Sequence, residues 1–221
     1  MLRLTEIYDR LYAAYGPQKW WPGESPFEVL VGAVLVQNTA WKNVERAIAN
    51  LRQENLMTPS KLYAVPPQDL AELIRPAGYF RLKTQRLRNL LQLIVERYDG
   101  SLEAFFDQDV ESLRRELLTV KGVGPETADS IILYAAGLPS FVVDTYTHRI
   151  LSRHAWIEPE ADYHQIKDHF ESQLPIDVPL YNEFHALLVH LGHHHCRKTP
   201  NCEECPLAEL LPEGGPITPD C

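Results

Sequence analysis

The chain has 221 residues, 45% of them hydrophobic and 23% charged, which is enough for one large apolar core or two smaller ones. The sequence contains no run of about 18 apolar residues, and residues 1–6 lack the basic-then-apolar order of a signal peptide. We therefore expect a cytoplasmic protein rather than a membrane protein. The net charge of −9 by itself favours an acidic enzyme over a nucleic-acid-binding protein.

The spacing of apolar residues is mostly helical and predicts an all-α fold. Ser25 is expected to cap a buried helix, with Pro26 at its first position and Glu28 closing a capping box. The best strand signal, residues 141–143, is short, and the Pro- and Gly-rich tail 211–221 is expected to be irregular. Helices are predicted at residues 4–15, 27–39, 42–54, 60–64, 67–74, 83–98, 101–106, 110–118, 126–136, 145–154, 163–173 and 180–192.

Basic side chains are concentrated in residues 75–97, which hold six Arg and Lys residues against one acid, Glu96. Such a local excess of positive charge is compatible with phosphate binding despite the acidic total. A solvated helix face explains the same pattern equally well until a second feature agrees.

The segment 117–128 places two glycines around one apolar residue between two predicted helices. Gly122 and Gly124 tolerate backbone angles that other residues resist, and Val123 can plug the core between the helices. Gly124 would open the next helix, whose free N–H groups attract a phosphate. An ordinary turn between helices with a glycine cap is the alternative.

The flanks of this hairpin carry a family resemblance. The pattern Leu-x-x-x-x-Gly-Val-Gly-x-x-x-Ala, followed by Val-Val-Asp-Thr at residues 142–145, resembles the helix-hairpin-helix/Gly-Pro-Asp DNA glycosylase superfamily, which includes endonuclease III. Residues 30–39 and 74–83 are similar to the family's first core helix and second DNA-penetrating loop. The resemblance covers nearly the whole chain and implies a repair enzyme that removes a damaged or mispaired base from duplex DNA.

The resemblance assigns Asp144 as the essential catalytic residue. Breaking an N-glycosidic bond builds positive charge on the sugar, and a nearby carboxylate stabilises that charge and orients water. From its own sequence context, Asp144 is equally an N-cap of the following helix. The resemblance implies that both roles coexist.

Glu126 departs from the pattern of the bifunctional family members. Those members carry a Lys at this position, which attacks the sugar as a Schiff-base nucleophile, and a carboxylate cannot do so. The sequence thus predicts a monofunctional glycosylase without strong lyase activity. Glu126 remains a candidate for the catalytic site, and a first-turn acid favoured by the helix dipole is the alternative.

A base must leave the duplex before a pocket can hold it, and the hole left behind must be filled. By resemblance, Gln37 and the Tyr79–Arg81 loop match the family's wedge positions, although a polar loop residue and core aromatics are the alternatives. The predicted DNA-contacting residues are Gln37, Asn38, Tyr79, Phe80, Arg81, Lys83, Lys121, Gly122, Val123 and Gly124.

The substrate pocket is predicted at Trp20, Trp21 and Pro22. Aromatic faces attract cationic rings such as alkylated purines. This triplet, together with residues 37–44, Pro-Ala-Gly-Tyr-Phe and residues 126–130, is similar to the 3-methyladenine DNA glycosylase III branch. Ala33 stands where the adenine glycosylase branch has a Glu, which disfavours that chemistry. Tryptophans that simply pack a domain junction are the alternative.

The four cysteines lie at the C-terminal end, at Cys196, Cys202, Cys205 and Cys221, with spacings x5, x2 and x15. Clustered cysteines in a cytosolic chain favour metal binding over disulfides. Family members with a cluster show x6, x2 and x5, so the resemblance implies a [4Fe–4S] cluster, with zinc or no metal as alternatives. The long last gap sets Cys221 apart, and residues 193–195 offer histidine ligands instead.

These expectations combine into two helical lobes, one of residues 22–133 with the hairpin and one of residues 1–21 plus 134–221 with the cluster. Duplex DNA carrying damaged bases would lie in the cleft between them, bound by a nucleoid-associated monomer that needs no membrane. Three other functions remain open: a mismatch or uracil/thymine glycosylase, a non-catalytic damage-binding protein, and a zinc-bound interaction module.

Overall fold

A computed structural model describes residues 4–217. Every regular element within that range is helical, which confirms the all-α prediction. No helix there is both long and apolar enough to cross a bilayer. The chain forms two compact units, residues 21–138 and residues 4–20 with 139–217.

The unit of residues 21–138 is built around one central helix. Nine of the ten residues of α2 are buried, because an almost wholly apolar helix is stable only when it is surrounded by other elements. A short 3₁₀ turn at Arg75–Ala77 precedes α6, and a π-helical turn at Ile131–Ala135 continues α9. The helices are α2 (Pro26–Leu35), α3 (Trp41–Gln53), α4 (Pro59–Ala64), α5 (Pro67–Leu73), α6 (Phe80–Tyr98), α7 (Leu102–Phe106), α8 (Val110–Thr119) and α9 (Pro125–Ser130).

The start of α2 corrects one prediction. Ser25 caps the helix as expected, accepting a hydrogen bond from the Glu28 amide at 3.2 Å. The Glu28 carboxylate does not close a capping box, because Oε2 accepts from Arg52 Nε at 3.1 Å. The helix also ends at Leu35 rather than at residue 39, since Asn38 takes a left-handed conformation with φ 52°.

The predicted hairpin lies between α8 and α9. Val123 is 6% exposed and belongs to the apolar core of its unit, as its role as a plug requires. Arg114 of α8 donates two hydrogen bonds to the buried carboxylate of Asp129 on α9, at 2.8 and 3.1 Å. This paired, charge-assisted contact fixes the two helices that carry the hairpin.

The unit of residues 4–20 and 139–217 is organised around an aromatic cluster. Phe141 stacks on Phe170 at 4.0 Å between centroids and meets Phe184 edge-on. Residues 141–143 are buried but do not form the predicted strand, because this part of the described chain offers no second strand to pair with. The helices are α1 (Leu4–Tyr15), α10 (Thr145–Arg153), α11 (Tyr163–Glu171) and α12 (Val178–His194), followed by a 3₁₀ turn at Ala208–Leu210.

Candidate functional site

Asp144 is the N-cap of α10, and its two carboxylate oxygens are used differently. Oδ1 accepts from the Thr147 amide at 2.7 Å and from the Thr147 hydroxyl at 2.9 Å. Oδ2 lies 3.8 Å from His185 Nε2, and no hydrogen bond to it occurs among residues 4–217. The cap therefore holds the carboxylate rigidly through one oxygen and leaves the other available for chemistry.

His185, which sequence analysis missed, is the titratable neighbour of Asp144. It lies on α12 and is 5% exposed. Burial lowers its pKa from the usual 6.5, and the Asp144 carboxylate offsets this only in part. The imidazole is therefore neutral at pH 7, and the charge on Asp144 is not cancelled by an adjacent cation.

This lowered pKa predicts a loss of stability in acid. The unfolded chain protonates His185 below about pH 6.5 while the folded chain resists, so stability should fall as the pH drops through and below that value. His185→Gln should show a smaller decrease in melting temperature between pH 7.5 and 5.5 than the wild type, by calorimetry. His164→Gln, which changes an exposed histidine, should behave like the wild type. Equal acid sensitivity in all three proteins would contradict the prediction.

The hairpin is exposed at the points where a ligand would meet it. Lys121 and Gly124 are exposed, whereas the buried side chain of Val123 belongs to the core rather than to a ligand contact. Gly122 has φ 102°, a conformation that favours glycine. A Cβ at Gly122 would also lie only 2.3 Å from Cγ of Arg86. Both the backbone angle and the close contact with Arg86 therefore disfavour a side chain at this position.

Gln37 and Asn38 form the loop after α2. Asn38 is exposed, and Gln37 is half-buried with its amide engaged at both ends. Gln37 Nε2 donates to Thr127 Oγ1 at 2.8 Å, and Oε1 accepts from Arg86 Nη1. Gln37 is thus brought beside α9, the helix that follows the hairpin.

The Tyr79–Arg81 segment lies at the start of α6 and differs in exposure from residue to residue. Tyr79 is 71% exposed and takes a left-handed conformation with φ 45° immediately before α6. Phe80 is half-buried against the core, with the Arg75 and Arg81 guanidiniums each 5.8 Å from its ring centre. Tyr79 and Arg81 are therefore the accessible members of this loop.

Lys83 corrects the prediction of a surface DNA contact. It is 1% exposed, and its Nζ donates to the Leu35 carbonyl at 2.8 Å and the Ala77 carbonyl at 2.7 Å. Burial lowers its pKa to about 8, with a smaller effect from Arg86. Lys83 therefore ties the end of α2 to the segment before Tyr79 and does not reach a ligand.

Trp21 belongs to an aromatic cluster that sequence analysis recognised only in part. Its ring meets Trp41 edge-on at 5.2 Å and Tyr134 at 5.1 Å between centroids. Gly32 makes room for them, because a Cβ there would lie 3.3 Å from Trp41 and 3.4 Å from Trp21. Trp20 belongs to the other unit and is half-buried.

The other residues of the predicted pocket and catalytic site differ in exposure. Pro22 and Glu126 are exposed, and Glu126 lies in the first turn of α9. Ala33 is buried within α2, so no carboxylate arises from that position. An accessible first-turn acid is compatible with both the catalytic and the helix-dipole interpretation of Glu126.

Cys196, Cys202 and Cys205 line one small pocket, together with Arg153, and Cys221 lies outside the described residues. Burial raises the pKa of the Cys205 thiol, and the other two cysteines add to the effect. Arg153 Nη1 donates to Cys196 Sγ at 3.3 Å, and its guanidinium also binds two main-chain carbonyls. Arg153 thus ties the Cys196 side chain to the main chain of the two residues that follow it.

Three of the four cysteines lie within the described residues, and cysteine thiolates are the usual ligands of a [4Fe–4S] cluster. Within residues 4–217, no three Cys, His, Asp or Glu side chains converge closely enough to hold one metal ion. A [4Fe–4S] cluster takes one thiolate on each iron. Pro216 also lines the pocket and Ile217 donates to the Arg153 carbonyl at 2.9 Å, which leaves Cys221 only four residues away along the chain.

The sequence is similar to those of known DNA repair proteins. A family model described as HhH-GPD superfamily base excision DNA repair protein matches residues 31–175. A Methanocaldococcus jannaschii protein, provisionally named a DNA repair glycosylase, is 51% identical over 208 residues, which cover 94% of each chain. Endonuclease III of Thermotoga maritima is 33% identical over 181 residues, which cover 81% of this chain and 79% of its own.

Solved structures share the fold. The H. pylori 3-methyladenine DNA glycosylase bound to 1,N6-ethenoadenine superposes with a TM-score of 0.76 at 29% identity, covering 87% of this chain and 98% of its own. A trapped endonuclease III–DNA covalent intermediate gives 0.81 at 26% identity, covering 97% and 98%. The chain belongs to the HhH-GPD superfamily of base excision DNA repair proteins.

Proposed function

We propose that this member of the superfamily is a monofunctional DNA glycosylase that hydrolyses the N-glycosidic bond of alkylated purines, of the 3-methyladenine type, in duplex DNA. The enzyme is a DNA glycosylase of base excision repair by its family. The hydrolytic chemistry is supported by the geometry of the Asp144 carboxylate. Its Oδ1 accepts two hydrogen bonds from Thr147, whereas Oδ2 lies 3.8 Å from His185 Nε2.

Asp144 would act on the sugar of the extruded nucleotide. As the bond from C1′ to the base breaks, the bonding electrons leave with the base and positive charge develops on the sugar. The negative charge on Oδ2 stabilises that charge, and the same oxygen can accept a proton from the water that attacks C1′. The neutral His185 beside Asp144 leaves the carboxylate charge uncompensated.

Three features of the unit 21–138 would hold the duplex. The main chain of the exposed hairpin would bind a phosphate, with Lys121 adding charge. Gln37 and the exposed Tyr79 would fill the space vacated by the extruded nucleotide, and Asn38 and Arg81 would flank them.

The absence of a lysine nucleophile at Glu126 predicts that no covalent enzyme–DNA adduct forms. Wild-type protein incubated with DNA containing an abasic site and borohydride should give no trapped complex on a denaturing gel, because trapping requires a Schiff base. Glu126→Lys should gain a trapped product, since it places an amine in the first turn of α9. Trapping by the wild type that disappears in Lys121→Met would contradict the monofunctional proposal.

The preference for alkylated purines is supported by the cluster of Trp21, Trp41 and Tyr134. A methylated purine carries positive charge, and electron-rich ring faces attract it by about 0.5–2 kcal/mol. The H. pylori relative was solved with 1,N6-ethenoadenine, a modified purine. Pro22 follows Trp21 in the same unit and would contribute to the binding surface for the base.

A base-release screen tests this preference. Duplexes with methylated, deaminated and mismatched bases should show fastest release of methylated purines by the wild type. Trp21→Leu, which keeps apolar volume without a π face, should slow that release by about tenfold, whereas Trp21→Phe should retain most of it. The Trp21 variants should not change the release of uracil or mispaired thymine. If the wild type releases those bases faster than methylated purines, the mismatch alternative is favoured. No release from any lesion would favour a damage-binding protein.

We further propose that Cys196, Cys202, Cys205 and Cys221 hold a [4Fe–4S] cluster with a structural role. When bound, the cluster supplies a four-point cross-link between the end of α12 and the tail. Arg153 contributes hydrogen bonds to Cys196 Sγ and to the carbonyls of Arg197 and Lys198, which orders the intervening loop. The exposed Arg197 and Lys198 side chains would then be presented to phosphates.

A further inference from the structure

One arginine contacts two of the proposed DNA-contacting segments, the loop at Gln37 and the hairpin at Gly122. Arg86 lies in the middle of α6 and is half-buried. Its Nη1 donates a hydrogen bond to Gln37 Oε1, and Gln37 Nε2 in turn donates to Thr127 Oγ1 at 2.8 Å. The amide of Gln37 is thus held between α6 and α9.

The aliphatic part of the same side chain supports the hairpin. A Cβ built on Gly122 would lie 2.3 Å from Arg86 Cγ and 3.1 Å from both Cβ and Cδ. The main chain at Gly122 therefore rests directly on the Arg86 stem. A single side chain contacts the hairpin through its methylenes and the Gln37 loop through its guanidinium.

The chemistry of these groups fixes the orientation of the amide. A guanidinium carries donors only, so the oxygen of Gln37 must face Arg86 and the amide nitrogen must face Thr127. No carboxylate in the described part of the chain forms an ion pair with Arg86. Its guanidinium is therefore not neutralised by an ion pair there, and it is held at the Gln37 amide.

We propose that Arg86 is a positioning residue that sets Gln37 for insertion into the duplex and couples that insertion to the hairpin's hold on the phosphate. This inference rests on the proposed function, in which Gln37 fills the space of the extruded nucleotide. Ordering Gln37 before DNA arrives removes the entropy that the flexible side chain would otherwise lose on insertion.

The test measures insertion without chemistry. A duplex with a stable abasic analogue and a neighbouring 2-aminopurine reports insertion by stopped-flow fluorescence, and an undamaged duplex reports the basal hold. Arg86→Met and Gln37→Ala should each slow the fluorescence rise by about tenfold, a larger factor than either variant loses in affinity for the undamaged duplex. The double variant should be no slower than Gln37→Ala, because both changes remove the same interaction.

Two further variants separate positioning from charge and from folding. Arg86→Lys keeps the stem and the charge but ends short of Nη1, and it should be as slow as Arg86→Met. Arg97→Met removes an exposed arginine farther along α6 and should match the wild type. If Arg86→Met fails to fold, Arg86→Lys carries the comparison.

The outcomes distinguish this inference from the function on which it rests. Additive effects of Arg86→Met and Gln37→Ala, or full rescue by Arg86→Lys, would overturn the positioning role. A slow Gln37→Ala with a normal Arg86→Met would overturn it too, while leaving the wedge intact. A normal Gln37→Ala would instead contradict the proposed wedge and with it the role of Arg86.

Discussion

Replacing Asp144 by asparagine is expected to abolish base release while leaving the fold and DNA binding intact. An asparagine oxygen can accept the hydrogen bonds of Thr147 that Oδ1 accepts now, so the cap of α10 survives. The negative charge of Oδ2 is lost, and with it the stabilisation of the sugar cation. We expect base release to fall by about a thousandfold, the upper range for removing one preorganised electrostatic contact.

The control for this variant is another capping aspartate. Asp162 caps α11 through the Gln165 amide at 2.9 Å and is exposed. Asp162→Asn should therefore leave base release unchanged. Single-turnover release separates chemistry from product dissociation, and band-shift assays on the abasic product report binding. Substantial base release by Asp144→Asn would show that another group carries the chemistry, whereas joint loss of binding and melting temperature would show a structural role.

The sequence was sufficient for local features whose cause is local. The hairpin, the caps at Ser25 and Asp144, and the helical fold all follow from neighbours within a few residues. The strand predicted at residues 141–143 is wrong, because a strand requires a second strand to pair with. Three residues do not reveal whether such a partner exists.

Lys83 shows the limit of charge counting. The sequence suggests one basic patch between residues 75 and 97, although Lys83, Arg86 and Arg88 each bind other parts of the chain. Lys83 binds main-chain carbonyls in the core, and Arg88 donates to the carbonyls of Tyr63 and Val65. Burial depends on which helix packs against α6, and that information lies far away in sequence.

The same reason explains the residues that sequence analysis missed. His185 meets Asp144 across 41 positions of sequence, and Trp41 and Tyr134 reach Trp21 from separate elements. Each is an ordinary side chain on a helical face when it is seen alone. The close approach at Gly32 is the one local hint, since a glycine inside a buried helix often marks such packing.

Removing one cysteine of the pocket is expected to lower the stability of the protein strongly. Cys205→Ser is expected to abolish bound iron and visible iron–sulfur absorbance in protein purified without air. The cluster would cross-link the end of α12 to the tail, so we expect the free energy of unfolding to fall by about 2–5 kcal/mol, the range for losing a covalent cross-link in a small domain. Denaturant unfolding of both proteins measures the difference.

The identity of the fourth ligand requires a separate comparison. Cys221 follows Cys205 with 15 residues between them, and the chain leads back to the pocket at Pro216. His195 also lines the pocket, with Nδ1 3.3 Å from the Asn201 carbonyl. Cys221→Ser should lose iron as Cys205→Ser does, and His195→Ala should keep it. The reverse pattern would identify His195 as the ligand.

Metal analysis decides among the alternatives for this site. Four iron atoms per chain in the wild type, lost in Cys205→Ser, would support the cluster. One zinc atom per chain, without iron, would show that the sulfurs rearrange around a single ion. If Cys205→Ser is as stable as the wild type and neither protein contains metal, the metal site is contradicted. The hydrogen bonds from Arg153 to the carbonyls of residues 197 and 198 would then hold the loop without a metal.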